Sequence, residues 1–163
     1  MDKKRGTRIL QRIKMSNFTH ELHKHRLLLK GILNHLANEL KERAEHHDDS
    51  KYDKEEKDVF EIIDNIRRED FDTYEEYYNC TKPLVQKALD HHYSNNRHHP
   101  EHFEKGVNDM NLLDILEMVV DWDTSASCRG TKLDVDYSFK RFKIEPQLQK
   151  IIINTLKLIN PDD

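Results

Sequence analysis

The sequence predicts an all-α protein, a compact bundle of about six helices. Its longer segments place apolar residues three and four positions apart, which is the spacing of one face of an α-helix. Only four glycines and four prolines interrupt the 163 residues, and no segment of useful length alternates apolar and polar side chains as a half-buried strand does. Helices joined by turns are therefore expected throughout.

The first helix is expected to begin near Phe18. Its apolar stripe includes one histidine: Phe18, Leu22, His25, Leu29, Ile32 and Leu36. If residues 17–43 form one straight helix, His25 lies about 27 Å from its end and cannot meet His47. A reversal near Leu36–Asn38 would place the two histidines on facing helices, and the residues themselves leave both arrangements open.

The later helices follow from the same periodicity. They are expected over Asp53–Arg68, Pro83–Asn95, Asn111–Ser127 and Pro146–Ile159, with a short helix over Asp72–Cys80. Proline suits the first turn of a helix, which favours the start at Pro146. Residues 96–106 include Pro100 and are expected to form a loop.

Charge and composition limit the classes of function. Residues 1–15 carry six lysines and arginines and are expected to form a basic N-terminal extension before a single domain over residues 16–160. The net charge is −4, which disfavours binding to nucleic acid. Cys80 and Cys128 are isolated, so neither a disulfide scaffold nor a zinc–thiolate site is expected. No apolar run is long enough to span a membrane and no signal peptide is recognisable, so we expect a cytoplasmic protein.

The first group of residues suited to chemistry is the adjacent pair His47-Asp48. An imidazole beside a carboxylate can ligate one or two divalent ions, because the carboxylate can bridge two metals while the ring holds one. Lys51 follows three residues after Asp48, where its ammonium group can meet a phosphate oxygen. The alternative interpretation of this segment is a polar loop.

A second group is denser, with five histidines in the twelve residues His91–His102. Two double-histidine pairs at a helix end before Pro100 indicate an ordered metal site, and a surface histidine tract is the alternative. Further along, Asp114, Glu117 and Asp121 share one helix face by their spacing. The alternative for these three carboxylates is the solvated face of an amphipathic helix.

Three segments together resemble DUF5662, a phage and bacterial family of unknown function: RAEHHDDSK (43–51), ALDHHYSNNRHHPEHF (88–103) and EMVVDW (117–122). The resemblance covers about residues 20–145. His47-Asp48 with Lys51 is also similar to the signature of the HD-domain metal-dependent phosphohydrolases. The GYP tripeptide of HD-type cyclic-dinucleotide phosphodiesterases is absent. The resemblance implies an HD-type helical bundle with a metal site, in a bacterium or a phage-infected bacterium.

Carried over by position, the superfamily pattern implies two metal sites. His25, His47, Asp48 and Asp121 would hold one ion, with Asp48 bridging to a second. His92, with His98 or His99, would hold that second ion. His35 competes with His25 if the first helix is straight, and His25 is preferred because it lies in the apolar stripe and matches the family position.

These features predict a divalent-metal-dependent phosphohydrolase that acts on a nucleotide or another small phosphoester. Asp48 and Lys51 are the expected catalytic residues, and Lys51, Asn96 and Arg97 the expected substrate contacts. Imidazole with carboxylate ligands suits one or two ions of Mn, Fe, Co, Ni or Zn better than Mg. The alternatives are a di-iron oxidase with an HD-like fold and a non-catalytic module that binds a metal or a nucleotide.

Overall fold

The computed structural model describes residues 3–161, with the side chains of residues 17–67 and 69–161. Within this part of the chain there are six α-helices and no β-strand, which confirms the all-α prediction. The helices are α1 (Lys3–Glu45), α2 (Lys54–Asn65), α3 (Tyr74–Asn95), α4 (Leu112–Cys128), α5 (Val135–Arg141) and α6 (Pro146–Ile159).

The chain divides into two compact units, one of residues 1–45 and one of residues 46–163. The boundary expected after residue 15 falls inside α1, which runs from Lys3 without interruption. Met1 and Asp2 lie outside the described residues, as do the side chains of the expected basic extension. That residues 16–160 act as a single domain stays a prediction.

Helix α1 is continuous, so of the two arrangements that the sequence left open the straight helix is the one observed, and there is no reversal near Leu36–Asn38. Asparagine inside a helix costs at most about 0.7 kcal/mol relative to alanine, which is too little to break a segment rich in leucine, lysine and glutamate. Residues 32–45 contain neither glycine nor proline, the two residue types that interrupt helices most strongly. The apolar stripe of α1 from Phe18 to Leu36 is exposed.

Helix α3 joins two segments that were expected to be separate, Asp72–Cys80 and Pro83–Asn95. Thr73 caps its start in a capping box, in which the Glu76 N–H donates to Thr73 Oγ1 and the Thr73 N–H donates to the Glu76 carboxylate, each at 3.2 Å. Proline inside a helix removes one backbone hydrogen bond and costs about 3 kcal/mol. Packing of α3 against α2 offsets this penalty, and the helix continues through Pro83.

The apolar core of the second unit surrounds α4. Its buried members come from α4, α5, α6 and the segments that directly precede α4 and α6: Met110, Met118, Val119, Phe139, Ile144 and Ile152. Each such side chain contributes about 1.5–3 kcal/mol when fully buried. Helix α5 was not expected from the sequence, because its seven residues make only two turns and show too little periodicity to recognise.

The start of α4 fixes the loop that precedes it. Asn111 caps the helix by accepting from the N–H groups of Leu113 and Asp114, at 2.8 and 3.0 Å. The fully buried Asp114 carboxylate in turn accepts both a backbone N–H from Asn111 and the guanidinium of Arg97. Residues 97–111 are thereby attached to α4 at both ends.

Candidate metal centre

The centre begins at Asp48, which directly precedes a short 3-10 helix, Asp49–Tyr52. Asp48 has a left-handed backbone with φ 61° and ψ 20°, a region that aspartate tolerates better than most residues. Lys51 makes two hydrogen bonds to Asp48. Its backbone N–H donates to the Asp48 carbonyl at 2.9 Å, and its Nζ lies 2.6 Å from Asp48 Oδ2. The turn leaves Asp48 Oδ1 available to other residues.

The C-terminal end of α3 contributes His92, which is buried. Its Nδ1 lies 2.9 Å from Oε2 of Glu56, a fully buried carboxylate from α2 whose Oε1 lies 2.8 Å from His91 Nδ1. A carboxylate accepts hydrogen bonds, so His92 donates through Nδ1 and its Nε2 carries the lone pair. That Nε2 lies 3.3 Å from Asp48 Oδ1 and 2.9 Å from His99 Nε2.

Helix α4 supplies a second orienting carboxylate, Glu117. Its Oε1 lies 3.0 Å from His47 Nδ1 and 3.4 Å from His98 Nδ1. Burial acts to raise the pKa of Glu117, but the hydrogen bonds from His47 and His98 outweigh it and lower that pKa to about 2. The charged carboxylate therefore orients both rings so that their Nε2 atoms face the other ligands.

Six residues of the second unit bring ligand atoms together in two overlapping groups. The first group is Asp48, His92, His98 and His99, and the second is His47, Asp48, His98 and Asp121. Within each group the ligand atoms all lie within 4.8 Å of one another. Neighbouring ligands of one ion lie about 3 Å apart when each is about 2.0–2.2 Å from the metal. The observed separations of 2.9–3.6 Å fit a metal with modest adjustment.

Two buried atoms have no hydrogen-bond partner among the described residues, Asp48 Oδ1 and His98 Nε2. They lie 3.4 Å apart. A buried polar atom left without a partner costs about 1–3 kcal/mol, and most such atoms in native proteins are paired. A cation bound between an oxygen and a nitrogen lone pair would satisfy both atoms, so this donor set fits a divalent metal.

The protonation of the rings depends on the same charges. Burial, together with the nearby His98 and His92, lowers the pKa of His99 to about 3, which keeps its ring neutral. Hydrogen bonds to Asp121 and Glu117 raise the pKa of His47 to about 10. For Asp48, burial acts to raise the pKa, but the nearby side chains of His98 and Lys51 outweigh it and lower the pKa.

The structure brings together most of the ligands expected from the sequence: His47, Asp48, His92, His98, His99 and Asp121. Both His98 and His99 take part, where only one of them was expected. Because His92 and His98 are buried, the surface-tract alternative is wrong for them. His25 is exposed on α1, in the first unit, and belongs to neither group. Without a reversal in α1, the structure gives no support to His25 as a ligand, and His35 is equally exposed.

Two of the three expected substrate contacts are used within the protein. Asn96 is buried, and its amide donates to Ser50 Oγ at 2.7 Å and to the His92 carbonyl at 2.8 Å. The Arg97 guanidinium binds both oxygens of Asp114, at 3.0 and 3.2 Å. These contacts hold the loop that includes His98 and His99, and contact of either residue with substrate stays a prediction. Lys51 is half-exposed and bound to Asp48.

The sequence did not predict the orienting roles of two carboxylates, Glu56 and Glu117. The spacing placed Glu117 on one helix face with Asp121, but it did not indicate that Glu117 would contact two histidines instead of a metal. Glu56 follows another glutamate in a charged first turn of α2, where nothing in the sequence distinguishes a buried carboxylate from a solvated one.

A sequence model of a protein family matches residues 14–158, and its description is a family of unknown function, DUF5662. The chain belongs to the DUF5662 family. This match extends beyond the motifs at residues 43–51, 88–103 and 117–122 and confirms the resemblance found there. No curated protein and no solved structure is detectably similar to this DUF5662 chain, so its resemblance to HD-domain proteins stays a prediction. Of the helices in residues 3–161, none combines the length and apolar character needed to cross a bilayer.

Proposed function

We propose that this protein is a divalent-metal-dependent phosphohydrolase that acts on a nucleotide or another small phosphoester. The observation that carries the proposal is the pair of buried atoms without partners, Asp48 Oδ1 and His98 Nε2, at the centre of six converging ligand residues. Histidine and carboxylate ligands favour Mn, Fe, Co, Ni or Zn over Mg.

The ligand set is compatible with one or two ions. The Nδ1 atoms of His47 and His98 face Glu117, and that of His92 faces Glu56. Each of these rings therefore offers only Nε2, which can bind a single ion. His98 belongs to both groups and can serve only one ion at a time. A second ion would share Asp48 alone.

A bound divalent ion supplies Lewis acidity, which makes water a stronger nucleophile near neutral pH and stabilises negative charge on phosphoryl oxygens. The residues of the chain do the rest. Glu56 and Glu117 hold the imidazole ligands in one orientation. Lys51 uses one of its three N–H donors on Asp48, and the remaining two can reach a phosphoryl oxygen as negative charge develops.

The test is metal analysis followed by a substrate panel. We expect untagged protein to purify with a transition metal and to release phosphate or an alcohol from at least one phosphoester. The panel covers nucleoside mono-, di- and triphosphates, cyclic nucleotides and aryl phosphates, with Asp48→Asn as the inactive control. Metal-loaded protein that hydrolyses none of these would overturn the proposal. Oxygen consumption by an iron-loaded sample would then favour the oxidase alternative.

A further inference from the structure

We propose that a cavity of about 420 Å³ between α4 and α5 is the substrate pocket of this centre, and that it selects a small phosphate monoester. This inference rests on the proposed function. A cavity of this volume is near the lower end of the range for small-molecule sites, about 300–1,000 Å³. It suits a ligand the size of one sugar phosphate or mononucleotide.

The cavity shares its wall with the metal centre. His99 and Asp121 both line it, and each belongs to one of the two ligand groups. A molecule in the cavity therefore approaches the ligand cluster from the side of these two residues. A larger cavity of about 720 Å³ is lined by neither residue, so its size alone does not make it the better candidate.

Three cationic side chains line the same cavity: Arg129, Lys132 and Arg141. Arg129 caps the C-terminal end of α4. Arg141 is held by Glu101 at 2.8 Å and by stacking on Phe142, and its guanidinium keeps further donors for a ligand. Cations placed around a small cavity favour a ligand with more than one negative charge, which is the charge of a phosphate monoester near neutral pH.

The acidic residue on this wall, other than the metal ligand Asp121, is Asp134. Its Oδ1 accepts a hydrogen bond from the N–H of Tyr137 at 2.9 Å and caps α5. The negative charge of Asp134 therefore interacts with the N-terminus of α5. An aromatic wall, formed by Trp122 stacked on Phe142 at 5.5 Å, offers an apolar surface to the organic part of the ester.

Binding can be tested without turnover, using phenylphosphonate as the probe. Its C–P bond is not an ester bond, so a phosphohydrolase does not consume it. Trp122 is the only tryptophan of the chain and lines the cavity, so its fluorescence, excited at a wavelength where the probe does not absorb, reports occupancy. Calorimetry on the same metal-loaded samples gives the affinity independently. We expect saturable binding of phenylphosphonate and none of benzyl alcohol.

Substitutions in the pocket distinguish probe binding by the pocket cations from probe binding by the metal ion. Arg129→Gln with Lys132→Gln should weaken phenylphosphonate binding about tenfold or more, because charged hydrogen bonds are lost. Arg129→Lys should retain part of the affinity. The matched control is Arg67→Gln with Lys150→Gln, two exposed cations that do not line this cavity, and it should bind as the unaltered protein does. Metal content is measured in every variant.

The pocket proposal would be wrong if the Arg129→Gln, Lys132→Gln variant bound phenylphosphonate as tightly as the unaltered protein does. The probe would then contact the ion alone. Absence of phenylphosphonate binding to metal-loaded protein would overturn the pocket proposal as well. Suppose that phenylphosphonate binding depends on Arg129 and Lys132 but the protein hydrolyses no phosphoester. The proposed hydrolase activity would then be wrong, and the proposed phosphate-binding pocket would still be supported. The two proposals therefore fail separately.

Discussion

Glu117 Oε1 lies 3.0 Å from His47 Nδ1, across 70 positions of sequence. This contact determines which nitrogen of His47 faces Asp48 and Asp121. A ring held by a carboxylate keeps one tautomer and is a stronger metal ligand, and loss of such a partner typically lowers metal affinity about 10–100-fold.

Glu117→Gln should therefore lower metal affinity by about 10–100-fold while leaving the ligands themselves in place. Competition with a chromophoric chelator measures the change. Glu104→Gln, an exposed residue outside both ligand groups, is the matched control. An unchanged metal affinity in Glu117→Gln would show that the Glu117 carboxylate does not support the metal centre.

Asp48→Ala and Lys51→Ala should separate metal binding from phosphate chemistry. Asp48 belongs to both ligand groups, so its loss should abolish metal binding and turnover together. Lys51→Ala should keep its metal and lower turnover roughly 10–1000-fold, the scale for one preorganised charge. Metal analysis and phosphate release measure the two effects, with Lys54→Ala as the control. Full activity in Lys51→Ala would exclude Lys51 from the mechanism.

Metal binding should release protons at pH 7. The pKa of His47 is raised to about 10, so its ring is protonated at neutral pH and must lose a proton to bind an ion. In metal-free protein, the stability that the raised pKa of His47 contributes is fully present below pH about 6.5 and is lost as pH rises through about 10. Metal affinity should accordingly increase between pH 7 and pH 9. The increase should be by about the same factor as the increase in the deprotonated fraction of His47.

Calorimetry of metal binding in two buffers with different ionisation enthalpies counts these protons. His47→Gln should release about one proton fewer than the unaltered protein. Binding heats that do not depend on the buffer would contradict the assignment of His47 as a protonated ligand.

Arg97→Gln should lower stability without altering substrate affinity. The Arg97 guanidinium binds the fully buried Asp114 carboxylate, and removing one partner of such a pair costs about 1–3 kcal/mol. Chemical denaturation measures the free energy of unfolding, and steady-state kinetics measures KM. A large rise in KM with unchanged stability would instead support Arg97 as a substrate contact.

The sequence predicted much of this centre because its ligands lie in short, distinctive motifs. His47-Asp48 and the histidines near Pro100 are recognisable by residue type alone. The orienting roles of Glu56 and Glu117 are not, because a single glutamate on a charged helix acquires such a role only when a distant histidine packs against it. The expectation for His25 lost its support for a different reason: it depended on a bend in α1 that the local helix propensity does not favour and that the helix does not contain.

The ligands come from three stretches of chain, around Asp48, from His92 to His99, and at Asp121. Among the described residues, the buried apolar cluster and the apolar side chains packed against it lie between Phe103 and Leu156, so they include none of the first two stretches. A bound ion would therefore cross-link the three stretches and close two long segments of chain. Free metal at about 100 times its dissociation constant would add about 2.7 kcal/mol to the stability of the fold. Metal supply would then set how much folded protein a cell contains.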